Sequence, residues 1–167
     1  MLRHLSREAS PHPGAKHINT LLDTFEHRGP NGTHVVLVLE AMGPSVSLMV
    51  SHLACNPPSR FGIRAKYPLE MARVMLKQTL LAVDFLHQQG ITHGDLQPGN
   101  LLFAIAGLDG LSEDQLRGAR RSNRVRRLDR KEDRWAPRYL AHDDPLIELV
   151  PQGPELTIKL SDMGSGQ

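Results

Sequence analysis

The sequence of 167 residues carries 20 lysines and arginines against 18 aspartates and glutamates, a formal net charge of +2, with 40% apolar and only 4% aromatic residues. That is enough chain for one domain with a real core, built on Leu, Val, Ile, Met and Ala rather than on rings. The single cysteine, Cys55, excludes an internal disulfide and a cysteine-built zinc site. Residues 1–10 lack the apolar stretch of a signal peptide, and no apolar run approaches the ~18 residues that cross a bilayer. A reducing compartment, cytosol or nucleus, is therefore the expectation, with no membrane partner.

In chain order, residues 2–9 read as the end of a helix that Pro11-His12-Pro13-Gly14 breaks. Residues 18–25 and 34–40 read as strands. The second is rich in β-branched and apolar side chains, the pattern of a buried strand. Asn31-Gly32 between them tolerates the positive φ of a tight turn, which predicts an antiparallel pair. Gly43-Pro44 marks a break, Ser45 caps a short helix reaching Leu53, and Asn56-Pro57-Pro58-Ser59 is a loop. The clearest helix runs from about residue 68 to 89, with Pro68 suited to its first turn and Gly90 ending it. Leu69, Ala72, Leu76, Leu80, Val83 and Leu86 recur at spacings of three and four, which predicts its apolar face. A loop over 91–100 leads to a short strand at 101–105 and an insertion at about 107–154. A last strand at 156–160 precedes Ser161-Asp162-Met163-Gly164, and the sequence has no internal repeat.

The insertion differs in composition from the rest. Between Arg117 and Arg138, ten lysines and arginines face Asp129, Glu132 and Asp133, a net charge of +7. Such a block predicts a solvated, disordered segment, with a localisation signal over 117–130 as a further reading. Clustered arginines attract phosphates, but Trp135 and Tyr139 are the aromatics nearby and no stacking platform is evident, so nucleic acid is not the expected partner. The nine histidines are scattered without an H-x-x-x-H or H-E-x-x-H pair, so they predict surface or packing roles rather than a metal centre.

The residues that carry chemistry are His93-Gly94-Asp95-Leu96-Gln97-Pro98-Gly99-Asn100, between a long helix and a short strand, and Asp162-Met163-Gly164 after the last strand. A carboxylate in the first motif can take a hydroxyl proton. Oxygen ligands from both motifs can hold a hard cation. Asp-Met-Gly by itself is a weak signal, and His-x-Asp can be an ordinary turn; the two in this order, with a helix before and strands between, are far more specific.

The first motif resembles the catalytic loop H-R-D-L-x-x-x-N of protein kinases, and the second resembles D-F-G. The resemblance implies Asp95 as catalytic base, Asn100 and Asp162 as Mg²⁺ ligands, and His93 as a brace for the loop, with Gly164 allowing a sharp turn. Val38-Leu39-Glu40-Ala41-Met42-Gly43 looks like the fifth strand and hinge, which implies Leu39 as gatekeeper and the backbone of Glu40 and Met42 as the adenine edge of an ATP site. The stretch over 17–25, ending Leu21-Leu22-Asp23-Thr24-Phe25, then Asn31-Gly32-Thr33-His34-Val35, resembles the fourth and fifth strands of the SR-protein kinases. So does the long insert, with 61 residues between Asn100 and Asp162.

This resemblance implies an α+β, partial bilobal kinase fold: residues 1–42 as part of the small lobe, 43–167 as part of the large one. It further implies ATP-dependent phosphorylation of serine or threonine in Arg/Ser-rich proteins. Several features depart from the pattern. Gly94 stands where H-R-D has arginine, as in the SR-protein kinases themselves. Gln97 replaces the loop lysine that faces the transferring phosphate and brings no charge. A glycine-rich loop, a V-A-I-K-like strand and an activation segment are not recognisable, so weak or absent activity is the expectation. Two other readings compete. His93 to Asn100 is also similar to the H-G-D-L-H-P-G-N loop of aminoglycoside and choline phosphotransferases. A non-catalytic scaffold is the other, its uncovered apolar surface drawing a protein partner.

Overall fold

The computed structural model describes residues 2–7, 11–29, 32–53, 66–113, 126–127, 139–140 and 146–163. The loop expected at 56–59, most of the arginine block and Gly164 lie outside the described residues. A short helix α1 (Leu2–Arg7) leads to the antiparallel pair β1 (Leu21–Gly29) and β2 (Gly32–Leu39), closed from Gly29 to Gly32, where φ is +118°. The strand β3 (Met42–Ser45) follows, then α2 (Val46–Met49) and the long α3 (Leu69–Gln88). A second sheet, ordered β3-β4-β7, is antiparallel throughout and contains β4 (Leu101–Ala104) and β7 (Ile158–Leu160). Two-residue strands β5 (Arg126–Arg127) and β6 (Tyr139–Leu140) pair within the insertion.

Two apolar clusters share the buried face of the β4–β7 pair. Val46, Met49, Met75, Phe103, Val150, Leu156 and Ile158 form one; Ile18, Ala82, Phe85, Leu86, Leu160 and Met163 form the other. Ile158 and Leu160, two residues apart on β7, face the same side and are both fully buried, one in each cluster, while Lys159 points the opposite way. Gln78 of α3 fastens β7 with a two-point clamp, its Nε2 donating to Leu156 O at 2.9 Å and its Oε1 accepting from the Ile158 N–H at 2.7 Å.

Four local expectations change. The β2 strand is not buried: Val35 is 70% and Leu37 48% exposed. Burial needs a covering layer, and the two-stranded ribbon has none over that face among the described residues. Gly43-Pro44 does not interrupt the chain but sits within β3, whose ladder pairs Met42 with Ala104 and Ser45 with Leu102 and is irregular between them, where proline's missing N–H is harmless. Ser45 does cap α2, its hydroxyl accepting from the Leu48 N–H at 3.2 Å. The buried stripe of α3 is Met75, Thr79, Ala82, Phe85 and Leu86, whereas Leu69, Leu76 and Leu80 are exposed. The helix is apolar nearly all round, so periodicity alone does not choose the face; contact with β7 and with residues 15–17 does. Finally, the downstream end of the insertion is part of the core, since Val150 is buried and Leu149 O accepts from the Ala106 N–H at 3.0 Å.

The end of α3 is governed by Gly90. Its φ of +70° lets its N–H reach His87 O and the Ile91 N–H reach Leu86 O, both at 2.9 Å, which turns the chain into the loop that follows.

Candidate active site

The loop over 91–100 closes on itself. The Asp95 N–H donates to His93 Nδ1 at 3.2 Å, which makes Nδ1 the acceptor and leaves the ring's N–H on Nε2, 2.9 Å from Ser161 O. The buried His93 ring thus ties the loop to the residue before Asp162. Gly94 between them has φ +82°, a conformation that strains residues with a Cβ. The Asp95 carboxylate is half-buried and accepts at one oxygen, Oδ2, from Gln97 Nε2 at 2.8 Å and Asn100 Nδ2 at 2.9 Å. Asn100 Nδ2 also donates to Asp95 O at 2.9 Å. Pro98 O takes the Ser47 N–H at 3.2 Å, which anchors the far side of the loop to α2.

Asp162 is brought to this loop by the β4–β7 register. Leu101 pairs with Leu160, so Asn100 lies opposite Ser161, and the Ser161 N–H donates to Asn100 O at 2.8 Å. Asp162 itself is exposed and has φ +60°, a left-handed conformation that aspartate tolerates better than most residues. Thus the structure gathers Asp95, Gln97, Asn100 and Asp162 at one edge of the second sheet.

Leu39 and Asp162 line a common cavity of about 400 Å³, whose walls include Leu37, Leu160 and Asn19. Asn19 is buried; its Nδ2 donates to Ser161 Oγ at 3.1 Å while its Oδ1 has no partner among the described residues. Glu40 follows Leu39. Its N–H donates to Thr20 O at 3.0 Å, and its carboxylate accepts from Lys159 Nζ at 2.7 and 2.6 Å and from the Thr20 N–H at 2.6 Å. Met42 pairs with Ala104 across the sheet. In the sequence Lys159 shows only as a lone charge between Ile158 and Leu160, three residues before Asp162, and nothing there points to its partner.

Two polar groups, His17 buried and Tyr67 half-buried, brace β7 and α2. His17 Nδ1 lies 3.0 Å from Ile158 O, and burial holds its imidazole below the ordinary value of 6.5, against the opposing pull of that hydrogen bond. Tyr67 donates to Val46 O at 2.6 Å, and burial pushes its phenol up to about 12. Among the described residues there is no cluster of three or more His, Cys, Asp or Glu able to hold a metal, and no helix long and apolar enough to cross a membrane.

No protein-family model matches the chain. Curated proteins do. The serine/threonine-protein kinase SKY1 of Saccharomyces cerevisiae is 34% identical over 137 residues, 74% of this chain and 17% of that protein. Protein kinase dsk1 of Schizosaccharomyces pombe is 37% identical over 106 residues, 63% of this chain and 18% of that one. The serine/threonine-protein kinase SRPK of Physarum polycephalum is 38% identical over 84 residues, 49% and 17% of the two chains. The chain is SR-protein-kinase-like. This kinase-like chain spans less than a fifth of the length of these relatives. Its short antiparallel sheets and few helices are those of a partial α+β kinase fold.

Proposed function

We propose that this chain carries phosphoryl-transfer machinery that takes ATP as donor and a serine or threonine hydroxyl in Arg/Ser-rich protein segments as acceptor, and that it turns over slowly. The observation that carries the reading is the Asp95 carboxylate, clamped through Oδ2 by Gln97 and Asn100. With Oδ2 so held, the proton-accepting role falls to Oδ1. The acceptor hydroxyl gives its proton to that oxygen as its own oxygen bonds the γ-phosphorus and ADP leaves. Adenine is held at its edge by the carbonyl of Glu40, a residue whose N–H already donates to Thr20 O, and by the Met42 amide, with Leu39 beside it. The acceptor class follows from the resemblance to SR-protein kinases.

The donor set suits Mg²⁺. Asn100 commits its Nδ2 to Asp95 and keeps a neutral, hard amide oxygen for a ligand role, and Asp162 adds an exposed carboxylate. Magnesium bound there would neutralise charge on the phosphates. Gln97 orients Asp95 but supplies no positive charge. Loss of such a contact costs about 2–4 kcal/mol of transition-state stabilisation, which sets the slow rate.

The test is transfer of labelled phosphate from Mg²⁺–ATP to an Arg-Ser repeat peptide, by the wild-type chain and by Asp95→Asn. Removing a positioned base should lower turnover by about 10²–10⁴-fold and leave Mg²⁺–ATP affinity, read by calorimetry, unchanged. Equal turnover in the two would overturn the assignment of Asp95.

A further inference from the structure

The Glu40–Lys159 pair sits where the two sheets meet. The segment before β1 joins the second sheet through the Asn19 N–H, which donates to Leu160 O at 2.9 Å, and a parallel bridge from Ile18 to Leu160. Glu40, just past β2, closes the same junction from the other side, because its carboxylate touches Thr20 and Lys159 together. The side chains are only 26% and 16% exposed. An ion pair so far out of water gives up much of its attraction to desolvation, and an apolar pair of similar volume would stabilise the fold as well or better. What the pair supplies is position: two hydrogen bonds from one ammonium fix Glu40 against β7, three residues before Asp162.

We propose that Lys159 is a positioning residue for nucleotide, holding the backbone of residues 40–42 in register with the strand that ends at Asp162. This rests on the kinase reading above. If the adenine edge meets residues 40–42 and the phosphates meet Asp162, this link, acting beside the Met42–Ala104 ladder pairing, sets how well both ends are satisfied at once. Removing the ammonium frees the Glu40 carboxylate to seek water, and the adenine edge moves with it.

The experiment is calorimetric titration of Mg²⁺–ATP and Mg²⁺–ITP into the full chain as wild type, Lys159→Met and Lys159→Arg, with a melting curve for each. Inosine lacks the exocyclic amine that would donate to the Glu40 carbonyl, so the ATP-to-ITP ratio reads the adenine edge alone. Lys159→Met should weaken Mg²⁺–ATP about tenfold or more and bring the ratio toward one, and Lys159→Arg should restore most of both. Glu40→Gln, which keeps the shape and the Thr20 contact, should reproduce the loss and stands in if Lys159→Met does not fold. Unchanged affinity and ratio in a folded Lys159→Met chain would overturn the inference alone, leaving an ion pair of structural importance only. A folded wild-type chain that binds neither nucleotide would overturn the proposed function and this inference with it.

Discussion

The β1–β2 ribbon and the β4–β7 pair are both antiparallel and both rich in apolar side chains, yet they differ in what covers them. In the ribbon, Leu22, Phe25, Val35 and Leu37 are 64, 49, 70 and 48% exposed. In the second pair, Phe103, Ile158 and Leu160 belong to the two apolar clusters and are 0 to 1% exposed. A hydrogen-bonded ladder fixes register in either case, but close packing of a face against a core makes that register rigid enough to hold Asn100 opposite Ser161 and so deliver Asp162 to the loop. The candidate catalytic residues all hang from the rigid pair. The residues assigned to the adenine edge run from the end of the looser one into β3, and Lys159 ties Glu40 to β7 as well.

Truncation at equivalent aromatic positions should break the comparison most sharply. Phe103→Ala removes a fully buried ring and should cost about 3–5 kcal/mol, whereas Phe25→Ala on the exposed ribbon should stay under about 1 kcal/mol. Urea denaturation of the two variants checks this, and similar losses would mean that the ribbon is as firmly packed as the second sheet. Next in size is Gln97→Lys, which places a charge where a neutral amide now contacts Asp95 Oδ2. Turnover should rise by about 30- to 1,000-fold, the counterpart of 2–4 kcal/mol, with little change in melting temperature. A rate at or below wild type would show that the amide's grip on Asp95 matters more than the missing charge.

The part of the site legible in the sequence is the part whose contacts are local. His93, Asp95, Gln97 and Asn100 hold one another within eight residues, so the motif specifies the loop almost unaided. The helix before it was legible in type and extent, because 20 residues of good formers between Pro68 and Gly90 leave little choice. Its buried face was not, because Leu69, Leu76 and Leu80 satisfy the same spacing as the residues that pack, and the choice belongs to β7. Likewise the β-branched, apolar run of β2 speaks of strand but not of cover. The contacts that join the two sheets span 119 residues from Glu40 to Lys159 and 141 from His17 to Ile158. No periodicity carries such pairs, and a lone lysine or histidine reads as solvated until the fold brings its partner.

A smaller effect should come from Gln78. Its amide both donates to and accepts from the backbone at the start of β7, so Gln78→Ala leaves Leu156 O and the Ile158 N–H without that partner and should cost about 1–3 kcal/mol.

 Hydrogen exchange at residues 158–160 should accelerate before exchange in β1 and β2 changes. Equal acceleration in both sheets would mean that the ribbon and the second pair open as one unit, which would remove the contrast drawn between them.

The smallest effect expected is a dependence of stability on pH through His17, which braces β7 from the side of the junction. Burial disfavours its charged form, and Lys16 and Lys159 disfavour it further, while the hydrogen bond to Ile158 O acts in the opposite sense and limits the size of the shift. The folded chain therefore holds the ring neutral to a lower pH than the unfolded chain, whose imidazole titrates at its ordinary value of 6.5. Between those two points the unfolded state binds the extra proton, so stability is fully present above pH 6.5 and is lost as pH falls through the folded value. Urea midpoints measured in steps from pH 8 to pH 5 should fall on the acid side for wild type, and the part of that fall due to this ring should vanish in His17→Gln, whose amide can still donate to Ile158 O. A fall of the same size in both would assign the acid sensitivity to other groups. If His17→Gln removes it, and hydrogen exchange at low pH quickens in β7 while β1 and β2 keep their wild-type rates, the junction yields first on the side of the rigid pair.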